Sequence, residues 1–373
     1  MTKKSLFALL LVAVIALSGC SLVMKNDAVD ALQTIIDVNG ETVNKQDFMN
    51  TYSYNLNYEQ YYAQMMQQFG LSDGSVDEST VLQNTVSSFI TDLVLRQKAT
   101  ELGFDQFDDA AEAALAEQVE TEYQKQLDQI RENYFADSEL EGDALTEAVI
   151  AYADQNGLTH DYVAEHVRDT EVSNRLRASV TDDITVNDDD LQAALDEKIA
   201  ADKSSFESSG NAYNSAVVAG NTIYYTPAGY RVIRVARLAK PAVDETGAFN
   251  LDEFNAQTAD LYARMEEDAS LDDLGVTVNE YRVNETSTLG GADVVAAAVM
   301  LAEKGQQTAV DTDDAYIVVK YVDDVEEHTA TLDEVHDTLY TEVLTDAKND
   351  AYTVAVSEWV GAANVSTYPE RLN

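Results

Sequence analysis

Ala315-Tyr316-Ile317-Val318-Val319-Lys320-Tyr321 is the strongest strand signal in the chain, and the segments around it decide the fold class. Its centre is β-branched, its flanks are aromatic, and it contains no Gly or Pro. Moving outward, Val294 to Leu301 reads as a short apolar helix ended by Gly305, and Gly275 to Val283 as a strand. Phe254 to Asp268 has helical spacing, whereas Tyr230 to Leu238 and Ile223 to Tyr225 alternate as strands, with Pro227, Gly229 and Pro241 as punctuation. On the other side, Leu332 to Trp359 is helical and Asn364 to Tyr368 reads as a closing strand.

Everything before this block is of a different kind. Ile35 to Glu41 reads as a strand running into an Asn39-Gly40 turn. After Phe48, the residues Tyr54, Tyr58, Tyr61, Tyr62, Met65 and Phe69 recur at spacings of three and four, with Gly70 as a stop. Val81 to Leu102 repeats the pattern with Gly103 as its stop, and further helices are expected over Asp108 to Phe135, Asp143 to Asn156, Thr159 to Val180 and Asn187 to Phe206. Thr159 and Asn187 suit N-caps, but the residues three further on, Tyr162 and Asp190, are not the Glu or Gln of a full capping box. Ser208 to Gly220, rich in Ser, Asn, Gly and Ala, reads as a linker or loop. A helical first half followed by a mixed block gives the class α+β. It also argues against the doubly wound lobes of a solute-binding lipoprotein, which alternate strands and helices throughout.

Charge and cysteine content exclude whole classes of function. The chain has 68 acidic against 23 basic side chains, a net charge of -45, which repels phosphate backbones, so nucleic-acid binding is excluded. One cysteine excludes an internal disulfide, a CxxC motif and a zinc ribbon. That cysteine has a specific place. Lys3 and Lys4 precede an apolar run from Leu6 to Leu17, and Leu17-Ser18-Gly19-Cys20 follows. The run is too short for a bilayer core of roughly 30 Å, so it reads as a secretory signal over residues 1–19 with the mature chain starting at Cys20. Leu-Ser-Gly-Cys resembles the bacterial lipobox, which implies lipidation of the Cys20 thiol and anchoring by lipid on the extracytoplasmic face of a bacterial cell membrane.

Three collinear segments resemble the extracytoplasmic foldases of the PrsA and SurA type. Val38-Asn39-Gly40-Glu41 with Asn44 to Phe48 looks like that family's opening strand and first helix. Leu93 to Gly103 looks like its second helix, and Ile184 to Leu191 like the helix leading to the isomerase module. Tyr230 to Leu238 and Val294 to Val319 resemble the first strand, late helix and last strand of a parvulin domain. The resemblance implies a tether over 20–34 and a helical chaperone domain over 35–207 that is completed by 327–373. Between these it implies a linker at 208–222 and an inserted parvulin-like domain at 223–326. It implies unfolded or newly secreted proteins as partners, leaves room for a homodimer, and requires no cofactor.

The chemistry of the resemblance is incomplete. Parvulins of this family carry one histidine in the first strand and one in the last, and the matching positions here are Val235 and Ile317. The chain holds only His160, His166, His328 and His336, so no histidine lies between Val167 and Glu327 and no realignment restores the site. Met300 and Tyr316 are the apolar candidates for a proline pocket. The expectation is a chaperone whose parvulin-like domain is weak or inactive as a prolyl isomerase, the alternative being an isomerase rebuilt without histidines. His160 and His166 are six apart, on different helix faces, and no metal site is expected. No GxSxG, glycine-rich phosphate loop or HExxH motif occurs. A stripe such as Tyr54 to Phe69 is first of all a core stripe. Five tyrosines, with Tyr52 included, exceed what one buried stripe needs, so Tyr54, Tyr58, Tyr61, Tyr62 and Met65 are kept as candidate client-binding residues.

Overall fold

Asn39 and Gly40 both have positive φ, 56° and 93°, which these two residue types adopt at low cost. They turn the chain between β1 (Thr34–Val38) and β2 (Glu41–Asn44), an antiparallel hairpin that follows the one-turn helix α1 (Asp27–Ala31). The computed structural model describes residues 27–241 and 250–372, so the signal segment and Cys20 lie outside the described residues. Five helices come next: α2 (Lys45–Gln68), α3 (Glu78–Glu101), α4 (Asp109–Tyr134), α5 (Gly142–Gln155) and α6 (His160–Thr181). Each of α2, α3, α4 and α6 starts at a side-chain cap, from Asn44, Asp77, Asp108 and Thr159.

Two cores hold this unit. Ile35, Ile36, Val38 and Val43 of the hairpin pack with Phe48 of α2 and Leu93 and Val94 of α3. A register irregularity between Thr34 and Ile36 accompanies the burial of both Ile35 and Ile36, neighbours that a regular strand would send to opposite faces. The second core joins Leu115, Val119 and Leu127 of α4 to Val149 and Ala153 of α5 and Val163 and Val167 of α6. At its edge the Phe107 ring lies between the guanidinium groups of Arg168 and Arg175, 4.5 and 4.1 Å from its centroid, and Arg168 grips Glu112 with two bonds of 2.8 and 3.0 Å.

Residues Asp183–Asp350 form a separate compact unit. It begins with α7 (Asp188–Ser208), where Asn187 caps the helix and Asp190 returns a bond to the Asn187 amide. The capping box is therefore complete after all, because an Asp carboxylate at the third position reaches the cap as a Glu would. The stretch expected as a loop carries α8 (Ala212–Val218), whose Tyr213 is buried against Phe206 and Tyr230. Strands and helices follow as β3 (Tyr225–Thr226), β4 (Arg231–Ala239), α9 (Leu251–Glu266), β5 (Thr277–Val283) and α10 (Ala292–Met300). The last are β6 (Gln307–Asp311), β7 (Ala315–Asp324), β8 (His328–Thr329) and the long helix α11 (Leu332–Ala362).

Strands β5, β4, β7 and β6 make one antiparallel sheet in that order. Alternation along β7 divides its residues between two covers. Ala315, Ile317 and Val319 pack with Val294, Val295 and Ala298 of α10, while Tyr316 and Val318 pack with Phe254, Leu261 and Met265 of α9. A third cluster joins Leu191 and Leu195 of α7 to Tyr224, Ala330 and Leu339 of α11.

From Ala351 onward the chain belongs to the first unit again. The strand β9 (Val365–Thr367) pairs antiparallel with Ile36–Val38 of β1, and Trp359 packs on the hairpin core. The first strand and the last strand thus pair with each other, as their isolation in the sequence predicts. The compact units divide at 183 and 350 instead of 208 and 326, because α7 and the first part of α11 pack with Tyr224 and Ala330.

Candidate functional site

Helix α2 outlasts the core that supports it. At about 1.5 Å per residue its 24 residues run some 36 Å, but only Lys45 and Phe48, in its first turn, are buried. Beyond them Tyr54 and Tyr61 are 72% and 68% exposed, and Tyr58, Tyr62 and Phe69 are exposed as well. Met65 is half-buried. The core reading of this stripe is therefore corrected: the three-and-four spacing is real, but past Phe48 the stripe is largely uncovered.

A cleft of about 540 Å³ opens where α2 and α3 meet the loop between them, lined by Tyr58, Tyr62, Met66, Val76 and Val81 with the carboxylates of Glu59 and Asp77. Its floor is fixed by a buried hydroxyl. Thr85 donates to the Val81 carbonyl at 2.8 Å and accepts from Asn55 Nδ2 at 3.1 Å, tying α3 to α2. Its rim is fixed by the loop. Gln67 donates to the Asp73 carbonyl at 2.9 Å, and Gly74, at φ 78°, lies so close that a Cβ there would meet the Gln67 side chain at 2.8 Å. Asp77 accepts from the hydroxyls of Ser79 and Thr80 at 2.7 and 2.8 Å, and the Ser79 bond is the main reason its carboxyl sits below the ordinary carboxylate range. Glu59 makes no ion pair or side-chain hydrogen bond among the described residues. Glu59, Val76 and Asp77 belong to no apolar stripe, so the sequence marks the aromatic wall of the cleft and not its charged groups.

Val235 and Ile317, which the sequence resemblance matches to parvulin histidines, are brought together by the sheet. Val235 pairs with Val319, which places it diagonally across from Ile317 on the face under α10. Both are buried among apolar neighbours, Ile317 to 2% exposure. Met300 and Tyr316 are not brought together. Met300 ends α10 and is 83% exposed, whereas Tyr316 lies on the opposite face, against the α9 cluster, where burial pushes its phenol up. A shared proline pocket built from these two is thus corrected by strand alternation, which sends Tyr316 away from the α10 side.

Two cationic side chains of this unit are committed to structure. Arg231 donates to the carbonyls of Ala298, Val299 and Leu301 at the end of α10, with its guanidinium 4.7 Å from the Tyr321 ring centroid. Buried Lys320 donates to the Met265 carbonyl at 2.9 Å and to Asp268 at 2.6 Å. Among the described residues there is no cluster of three or more metal-ligating side chains, and no helix is long and apolar enough to cross a membrane. His160 lies beside Glu120 at 3.4 Å and edge-on to Tyr123, and His166 stacks on Tyr162.

A helical unit closed by its own C-terminal strand, with an antiparallel α/β unit between, is an α+β architecture. Known proteins resemble the chain over part or all of its length. Residues 1–119 match the family described as SurA-like N-terminal domain. Over 376 residues the chain is 23% identical to a protein named Foldase protein PrsA from Clostridium botulinum, covering 99% of this chain and 98% of that one. A relative of the same name from another strain is 22% identical over 372 residues, with the same coverage. Among solved structures, a SurA-like chaperone of Campylobacter jejuni aligns over 90% of this chain and 98% of its own, at 8% identity and a TM-score of 0.32. PrsA from Bacillus subtilis aligns over 89% and 91%, at 17% identity and a TM-score of 0.21. The N-terminal third of the chain is thus similar to a SurA-like N-terminal domain, and its whole length is similar to proteins named Foldase protein PrsA.

Proposed function

We propose that this chain is a lipid-anchored extracytoplasmic chaperone that holds unfolded or newly secreted proteins, and that its α/β domain is a degenerate parvulin module, weak or inactive as a prolyl isomerase. The observation that carries the second half is the pair Val235 and Ile317, both buried in the apolar cluster under α10. Prolyl isomerisation must lower a barrier of about 18–20 kcal/mol by binding the twisted amide better than the planar one. Packed aliphatic side chains offer neither an opening for the peptide nor a group to orient its amide.

The holding half rests on the uncovered aromatic face of α2. Tyr58, Tyr61 and Met65 present amphipathic and adaptable surface next to one another, the kind of surface that binds apolar segments without demanding one sequence. The large negative charge keeps a loaded complex soluble. Lipid attachment at Cys20 supplies membrane anchoring that the acidic surface cannot.

The test measures suppression of aggregation of an unfolded client beside acceleration of proline-limited refolding, on the exported chain. Expected are suppression near one chaperone per client, weakened when Tyr58, Tyr61 and Met65 are replaced by Ala, and little acceleration of refolding. Strong catalysis at substoichiometric protein would overturn the inactive-module reading.

A further inference from the structure

The reading that this chain holds unfolded polypeptides leaves open which segments it holds, and the cleft between α2 and α3 bears on that choice. Its apolar wall consists of Tyr58, Tyr62, Met66 and Val81, and its charged groups are Glu59 and Asp77. The surroundings are one-signed. From Gln46 to Leu95 the chain has six carboxylates and no Lys or Arg, so nothing local neutralises the two in the cleft. Asp77 is held ionised by the Ser79 and Thr80 hydroxyls, and Glu59 is exposed.

The geometry points to a cation-selective peptide site: the α2–α3 cleft takes an extended segment of an unfolded client in which Lys or Arg alternates with apolar side chains. This rests on the holding function proposed above. An extended strand sends successive side chains to opposite sides, so one side can meet the Tyr58, Tyr62 and Met66 surface while a flanking ammonium or guanidinium meets Glu59. Aromatic faces attract cations as well as apolar groups, and the long stems of Lys and Arg bury against them while the charge stays near water. A carboxylate-bearing segment would meet Glu59, Asp77 and the wider field with no compensating cation. The volume, about 540 Å³, suits side chains of an extended segment and not a folded element.

The experiment uses the exported chain and three fluorescent peptides with identical Leu and Tyr positions whose alternate positions are Lys, Gln or Glu. Binding is read by anisotropy at low and high ionic strength. The Lys peptide should bind roughly ten-fold tighter than the Glu peptide at low salt, with the Gln peptide between, and the gap should shrink as salt screens it. Glu59→Gln should narrow the gap about three-fold, Tyr62→Ala should weaken all three peptides, and Tyr62→Phe should largely restore them. Glu147→Gln, which removes an exposed carboxylate on α5, should change nothing. Equal binding of the three peptides, with aggregation still suppressed, would overturn the cation preference and leave the holding function standing. Equal narrowing by Glu59→Gln and Glu147→Gln would overturn the cleft assignment in favour of the diffuse field of the whole chain. Loss of peptide binding together with no suppression of aggregation would overturn the holding function itself.

Discussion

Replacing Ile317 by His, at the position that the sequence resemblance matches to a parvulin histidine, should cost stability without creating a catalyst. Ile317 packs with Val235, Val294, Val295, Ala298 and Val319, and no polar side chain belongs to this cluster. Losing the burial of a large aliphatic side chain costs about 1.5–3 kcal/mol. Leaving the imidazole nitrogens unpaired adds about 1–3 kcal/mol. A loss of about 3–6 kcal/mol follows, a large share of the roughly 5–15 kcal/mol that a domain has in total. The loss should deepen in acid. An imidazole buried without a partner resists protonation, so its folded-state pKa falls below the unfolded value of about 6.5. The unfolded state then binds protons more readily, and stability drops further as pH falls below about 6.5, while above it the difference is constant. Urea unfolding followed by circular dichroism at pH 7.5 and pH 5.5 measures both effects, with proline-limited refolding run in parallel. An unchanged midpoint, a pH-independent loss, or a gain in refolding rate would show that this face is open and polar, and would refute the packed-face argument.

Removing residues 363–373 takes away β9 and four further bonds to the first hairpin: Asn39 N to Asn364 O at 2.9 Å, Asn364 N to Asn39 Oδ1 at 2.8 Å, Tyr368 N to Ile35 O at 2.8 Å and Arg371 to Thr34 O at 2.7 Å. At about 1 kcal/mol each these amount to a loss of about 3–5 kcal/mol with the strand pairing included, read as a lower thermal midpoint of the helical unit; no change would exclude β9 as its closing strand. Lys320→Met should cost about 1–3 kcal/mol at neutral pH by stranding the Met265 carbonyl. The bond to Lys320 lowers the Asp268 pKa, so that pair stabilises the fold at neutral pH and loses its effect as pH falls through the carboxylate range. The variant should therefore show a flatter acid limb in its stability profile, and an unchanged limb would count against the pairing. Cys20→Ala should abolish partitioning of the mature protein into detergent, and equal partitioning of variant and wild type would sink the lipid anchor.

Local signals determined a good part of this protein. The Asn39-Gly40 turn, the strands Tyr230 to Leu238 and Ala315 to Tyr321, and most helix limits follow from backbone preference and periodicity, which act over a few residues. The aliphatic identity of Val235 and Ile317 likewise needs no structure to be read. Even here a short range could mislead: α8 hides in a small-residue stretch because its Tyr213 is held by Phe206 and Tyr230, neighbours that the composition of 208–220 does not reveal. What only the tertiary structure decided is where apolar stripes find, or fail to find, a partner. Periodicity shows that Phe48 and Tyr62 share a side of α2, about 40° apart, but burial depends on how far the β1–β2–β9 sheet and α3 reach along it, and full burial stops at the first turn. Met300 and Tyr316 are likewise separated by the pleat and by which helix covers which face, and the cleft at Glu59 and Asp77 exists because a ten-residue-apart pair of helix ends is folded into one place by the Gly70 to Gly74 loop. Amphipathicity is encoded by neighbours in sequence, whereas exposure is set by surfaces distant in the chain, and a client-binding surface is a matter of exposure.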